Sequence, residues 1–131
     1  MSEIGYLNTD LIIESPDDLT AIFDTFGDEV IVMYNGELGK VNRAAYGIAG
    51  SYSNANDILD FFCVLVEGFD ETARSLWDSC SSKVFDFGNE SGTSPQNYSS
   101  VIRPEVIKRI SDIGAGIEIT IYTPIDKRKK Q

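Results

Sequence analysis

Carboxylates are the only reactive side chains this sequence holds in quantity. Adjacent pairs stand at Asp17/Asp18, Asp28/Glu29 and Asp70/Glu71, with single acids at Asp24, Asp86 and Glu90 among others. Glycosidase-type acid–base chemistry needs two carboxyls facing one cleft. The three pairs fall near expected helix ends, where an acid stabilises the helix dipole or is simply solvated. Oxygen ligands can also hold a divalent cation, but no EF-hand spacing occurs.

Other catalytic routes lack their parts. The chain contains no histidine, which removes the usual general base, nucleophile activator and metal ligand. The two cysteines, Cys63 and Cys80, form no CxxC pair, so a Cys/His zinc site is excluded. Cys63 lies in the most apolar run and reads as a small hydrophobe. None of Lys40, Lys83 or Lys108 sits in an apolar stretch that would activate it for serine–lysine chemistry. Gly36-Glu37-Leu38-Gly39-Lys40 has a GxxGK spacing, but lacks the longer spacing and trailing hydroxyl of a P-loop. The expectation is a protein without catalytic residues, metal or cofactor.

Charge points instead towards binding. There are 21 acidic and 11 basic residues in the 131-residue chain, for a net charge of −10. The first base is Lys40, and nine acids precede it. Four of the bases lie together at Lys127, Arg128, Lys129 and Lys130, so the rest of the chain is more negative than the total. Such a surface repels nucleic acid and anionic membrane and steers basic proteins towards it. Solubility alone is the plainer role for the same charge.

The elements that would position these groups are short. A strand is expected over about residues 5–14, followed by a helix opened by Ser15-Pro16-Asp17-Asp18, with Ser15 as cap. Leu19, Ile22, Phe23 and Phe26 form its apolar face, and Gly27 ends it. Val30 to Tyr34 is apolar at successive positions and reads as a strand covered on both faces. Asn35-Gly36 signals a hairpin turn, leading to a strand near Ala45 to Ser53. Asn54 to Asp57 caps a buried helix through Val66, and Gly68 breaks it. A second helical stretch buries Ala73, Leu76, Trp77 and Cys80. Lys83 to Phe87 alternates as a strand, and residues 88–97 read as a polar loop suited to binding. Pro104 opens a helix with Val106, Ile107, Ile110 and Ile113 on its face, and Ile117, Ile119 and Ile121 mark the next strand.

Two segments echo each other. Tyr34 follows Pro16 by eighteen positions and Tyr122 follows Pro104 by the same eighteen, with Ile22 matching Ile110, Asp24 matching Asp112 and Ile31 matching Ile119. The match suggests two β–α–β units with a pseudo-twofold relation; chance likeness of two amphipathic segments is the alternative. Together these features predict one α+β domain over residues 1–125, a mixed or antiparallel sheet packed with helices. Residues 126–131 are expected to be a disordered basic tail. No apolar run reaches the ~18–20 residues of a membrane span, and Met1-Ser2-Glu3-Ile4 lacks a secretory start. A cytoplasmic location is the expectation.

The run Asn56-Asp57-Ile58-Leu59, then Ser82 to Gly88, Pro104 to Ile110 and Ile117 to Tyr122, resembles the bacterial family called domain of unknown function 4279. The resemblance covers roughly residues 8–125. Val30 to Lys40 departs from it, because family members often carry a Pro-Thr and tryptophan-containing stretch there. The resemblance implies an α+β fold and, for some members, a role as immunity proteins beside toxin genes. It carries over no catalytic residues. The leading expectation is a non-enzymatic immunity or antitoxin-type protein that binds and neutralises a basic toxin domain, such as a nuclease. Asp17, Asp18, Asp24, Asp28, Glu29, Asp70, Glu71, Asp86 and Glu90 are its candidate partner-binding residues. A small-ligand-binding or regulatory module using the 88–98 loop and sheet face is the alternative, and a carboxylate- or metal-dependent enzyme a third.

Overall fold

The computed structural model describes residues 5–48, 54–92 and 97–123. They form an α+β domain of one five-stranded sheet and four α-helices. In chain order the elements are β1 (Gly5–Ser15), α1 (Thr20–Phe26), a 3-10 turn (Gly27–Glu29), β2 (Val30–Leu38), β3 (Val41–Ile48), α2 (Ala55–Glu67), α3 (Glu71–Asp78), β4 (Ser82–Glu90), α4 (Pro104–Asp112) and β5 (Gly116–Tyr122). The sheet order is β2-β3-β1-β4-β5. The first four strands pair antiparallel and β4 with β5 parallel, so the sheet is mixed.

Period-two burial sets which face carries the helices. Leu11 and Ile13 of β1, Ala44 and Tyr46 of β3, and Phe85 and Phe87 of β4 are buried in one core with residues from all four helices. Ile22 and Phe26 enter it from α1, Leu59 and Phe62 from α2, Trp77 from α3, and Val106 and Ile110 from α4. The Phe26 ring meets Tyr46 of β3 edge-on at 5.1 Å, holding α1 against the sheet, and Phe69 of the α2–α3 connection at 5.3 Å. Trp77 donates its indole N–H to the Ile113 carbonyl at 2.7 Å, tying α3 to the end of α4. The alternate strand positions, including Asp10, Ile12, Glu14, Arg43, Asp86 and Thr120, face away from the helices.

Local signals placed most element ends. The Asn54 side chain accepts from the Asp57 amide and starts α2, and the Asp70 side chain accepts from the Ala73 amide and starts α3. Pro104 stands in the first turn of α4. Cys63 and Cys80 are both free and buried.

Several expectations are corrected. Ser15 does not cap α1: it closes β1, paired with Asn42, and its hydroxyl accepts from the Asp17 amide. Continued pairing of β1 keeps Pro16 in a turn, and α1 starts only at Thr20. Asn35-Gly36 lies inside β2, opposite Ala44 and Arg43, and the hairpin turns at Gly39, whose φ of 65° suits glycine. β2 is not covered on both faces; it is an edge strand with Ile31, Val32, Met33 and Tyr34 exposed. Phe23 and Ile107, expected on buried helix faces, are also exposed. Residues 88–90 belong to β4 rather than to a loop. The expected strand beyond Ile48, the middle of the 88–97 loop and the basic tail lie outside the described residues.

Both β–α–β segments exist, but they are not equivalent. β4 and β5 are parallel neighbours, whereas β1 and β2 run parallel with β3 between them. A twofold axis between β1 and β4 would carry β3 onto β5, and their directions relative to the central pair differ. The echo in sequence is one of local pattern only.

Candidate binding surfaces

The longest acidic stretch follows the turn from β1 into α1. The Asn42 side chain donates to the Asp17 carbonyl at 2.9 Å, and Asp18 accepts from the Thr20 amide at 2.7 Å. Hydrogen bonds from the Thr20 side chain and backbone hold the Asp18 carboxyl below its ordinary range. Asp24 follows on α1, then Asp28 and Glu29 in the 3-10 turn, and all five acids are exposed. Among the described residues none of the five has a Lys or Arg partner. Helix α1 packs against α3, where Asp70 and Glu71 open the helix.

Helices α2 and α4 show the opposite pattern. Arg109 grips Glu67 at 2.7 Å and Asp60 at 3.0 Å, while Arg103 reaches Asp60 and Glu105. The Arg109 fork holds the Glu67 carboxyl below its ordinary range. Lys108 pairs with Asp112 in the next turn. Arg103, Lys108 and Arg109 are thus neutralised by acids of α2 and α4, as Arg43 is by Glu14 and Arg74 by Asp78, whereas the acids of the α1 segment have no such partner among the described residues.

Asp86 stands elsewhere, on the sheet face away from the helices. It is opposite Asp10 on β1 and Glu118 on β5, and it accepts from the Thr120 hydroxyl at 2.7 Å. Burial and then the Asp86 charge push the Asp10 carboxyl above its ordinary range. Farther along the same face, Glu14 is paired with Arg43 at 2.7 Å. Glu90 ends β4. Of the nine candidate residues, seven lie on α1, the turns before and after it, and the start of α3, the helix that α1 packs against. Asp86 is placed on the other sheet face, and Glu90 beside a separate groove.

That groove lies where the alternative reading put a small-ligand site, on the 88–98 segment and the sheet face; its apolar lining from β5 and Ile102 was not named in advance. A cavity of about 420 Å³ opens between the β4–β5 end of the sheet and the chain leading into α4. Phe87, Ile102, Ile119 and Ile121 supply its apolar lining, with the rings of Tyr6 and Tyr98. Tyr6 shares a 2.6 Å hydrogen bond with the buried Thr9, which fixes its ring. Asn89, Ser91 and Ser100 add polar groups. The Asn89 amide nitrogen is engaged by the Phe87 carbonyl, and its carbonyl oxygen accepts nothing among the described residues. The available signal was the run Ile117, Ile119 and Ile121, which alternates like a buried strand although Ile119 is 65% and Ile121 66% exposed.

Burial pushes the thiols of Cys63 and Cys80 up to about 11, so little thiolate forms at neutral pH. No group of three or more acids and cysteines among the described residues is disposed to hold a metal ion, and none of their helices is long and apolar enough to cross a membrane.

No family model, curated protein or solved structure matches the chain.

Proposed function

We propose that this chain is a non-enzymatic immunity or antitoxin-type protein that binds a basic toxin domain in the cytoplasm and neutralises it. The observation carrying this reading is the uncompensated acidic segment Asp17, Asp18, Asp24, Asp28 and Glu29, set against the neutralised charges of α2 and α4. Exposed carboxylates without internal partners have no existing ion pair to give up on meeting a cationic surface, and they attract it from a distance. A cluster of carboxylates can also stand in for the negative charge of a phosphate backbone, which suits a toxin that is a nuclease. The resemblance to the family with immunity-like members points the same way.

The direct test is to co-express the chain with the product of the neighbouring gene and measure binding by calorimetry at low and moderate salt. A submicromolar complex that weakens steeply with salt is expected, with loss of toxicity in cells making both proteins. The absence of any such complex at either salt concentration sinks the proposal.

A further inference from the structure

We propose that the groove between β5 and the segment leading into α4 binds a small amphiphile with an apolar body and a hydrogen-bond-donating, non-anionic head group. This goes beyond the protein-partner reading and does not depend on it. The cavity volume of about 420 Å³ falls within the ~300–1,000 Å³ typical of small-molecule sites. Its floor and walls are apolar, from Phe87 on β4, Ile119 and Ile121 on β5, and Ile102 before α4. The parallel register sets Ile119 beside Phe87 and Ile121 beside Asn89 on the helix-bearing face, and at this edge strand both isoleucines stay exposed.

The head-group preference follows from the polar rim. Asn89 has its amide nitrogen engaged by Phe87, and among the described residues nothing donates to its carbonyl oxygen, which can accept a hydrogen bond from a ligand. The hydroxyls of Ser91 and Ser100 accept as well. Among the described residues no lysine or arginine lines the groove, and the charged residue there is Glu90. A carboxylate or phosphate head would lose its hydration without gaining a cation, and would enter a protein of net charge −10. An alcohol or an alkylammonium meets acceptors instead.

Titration of the chain alone with decanol, decylamine and decanoate below their micellar concentrations, followed by amide NMR, tests this. Saturable shifts are expected at Asn89, Ile102, Ile119 and Ile121, with decylamine and decanol binding at least about fivefold more tightly than decanoate. Ile119→Lys places a cation in the groove at an exposed position, so decylamine should weaken at least about tenfold, equivalent to about 1.4 kcal/mol, while decanoate gains. Ile121→Lys is the second variant, should the first fail to fold. Val64→Lys, at a 58% exposed site on α2, should leave all three affinities unchanged. Shifts that do not saturate, equal or tighter binding of decanoate to the unaltered chain, or indifference to both groove substitutions would overturn the proposal. Because no protein partner is present, these outcomes leave the toxin-binding reading untouched.

Discussion

Asp10 and Asp86 stand directly opposite each other on the antiparallel strands β1 and β4, two like charges on the sheet face away from the helices. Thr120 donates its hydroxyl to Asp86 at 2.7 Å. The folded-state pKa of Asp10 is raised, first by burial and then by Asp86. The folded protein therefore holds that proton more tightly than the unfolded chain does. Stability falls as pH rises from the ordinary carboxylate value through the raised one, and ionised Asp10 is destabilising at neutral pH. Asp10→Asn should raise the urea midpoint at pH 7 by an amount worth up to about 1 kcal/mol, discounted for the half-exposed site. The gain should vanish below the ordinary carboxylate range. An unchanged midpoint at pH 7 would show that the pair relaxes apart.

Trp77 offers a second test. Its ring is fully buried and its N–H is bonded to the Ile113 carbonyl. Trp77→Phe keeps an aromatic ring but removes that donor, and should cost about 1–3 kcal/mol for the lost bond, with a further loss for the unfilled volume. Since this is the sole tryptophan, unfolding should be followed by circular dichroism rather than fluorescence.

The cysteines should be nearly silent towards thiol reagents. Both thiols lie at about 11, two units above the ordinary value, so the thiolate fraction at mildly alkaline pH falls about 100-fold. Reaction with a chromogenic disulfide should be slow in buffer and rapid in denaturant. Rapid labelling of the native protein would contradict the burial of Cys63 and Cys80.

Arg109 should matter less than its two carboxylate partners suggest. The pairs with Glu67 and Asp60 are substantially exposed, and solvent screens such contacts. Arg109→Gln should cost under about 1 kcal/mol, and the cost should shrink in high salt. The Glu67 carboxyl is depressed in the folded state, so its contribution is present at neutral pH and is lost as pH falls through that lowered value.

Replacing Asp24, Asp28 and Glu29 together by lysine should leave stability within about 0.5 kcal/mol per site, because all three are exposed and none has a cationic partner among the described residues. The same substitutions should slow association with a basic partner and weaken it at least about tenfold. Undiminished binding would move the interface away from α1.

Features that depend on local chemistry were legible in the sequence. Asn54 and Pro104 mark the starts of their helices, Gly27 and Gly68 the ends, and Leu11 with Ile13 the inward face of β1. Features that depend on position within the sheet were not. Val30 to Tyr34 and Ile117 to Ile121 have the pattern of covered strands, yet both belong to edges, where fewer neighbours reach them. Asn35-Gly36 has a turn composition, but pairing with β3 extends through it to Leu38, and the glycine that turns the chain is Gly39. The acids could be counted in advance, but their imbalance required knowing that Arg103 and Arg109 spend their charge on Asp60, Glu67 and Glu105. The groove draws on Tyr6, Phe87, Tyr98 and Ile119, residues whose distance along the chain hides their proximity.

The central position of β1 also governs the order of assembly. β1 is the first of the described strands along the chain, yet its partners are β3 and β4, and Ile12 pairs with Ala45 on one side and Val84 on the other. A chain emerging from the ribosome therefore exposes Leu11 and Ile13 long before Phe85 arrives to cover them. Closing so long a loop is slow compared with forming the helices in between. Until β4 docks, β1 has a bare edge that invites pairing with other chains.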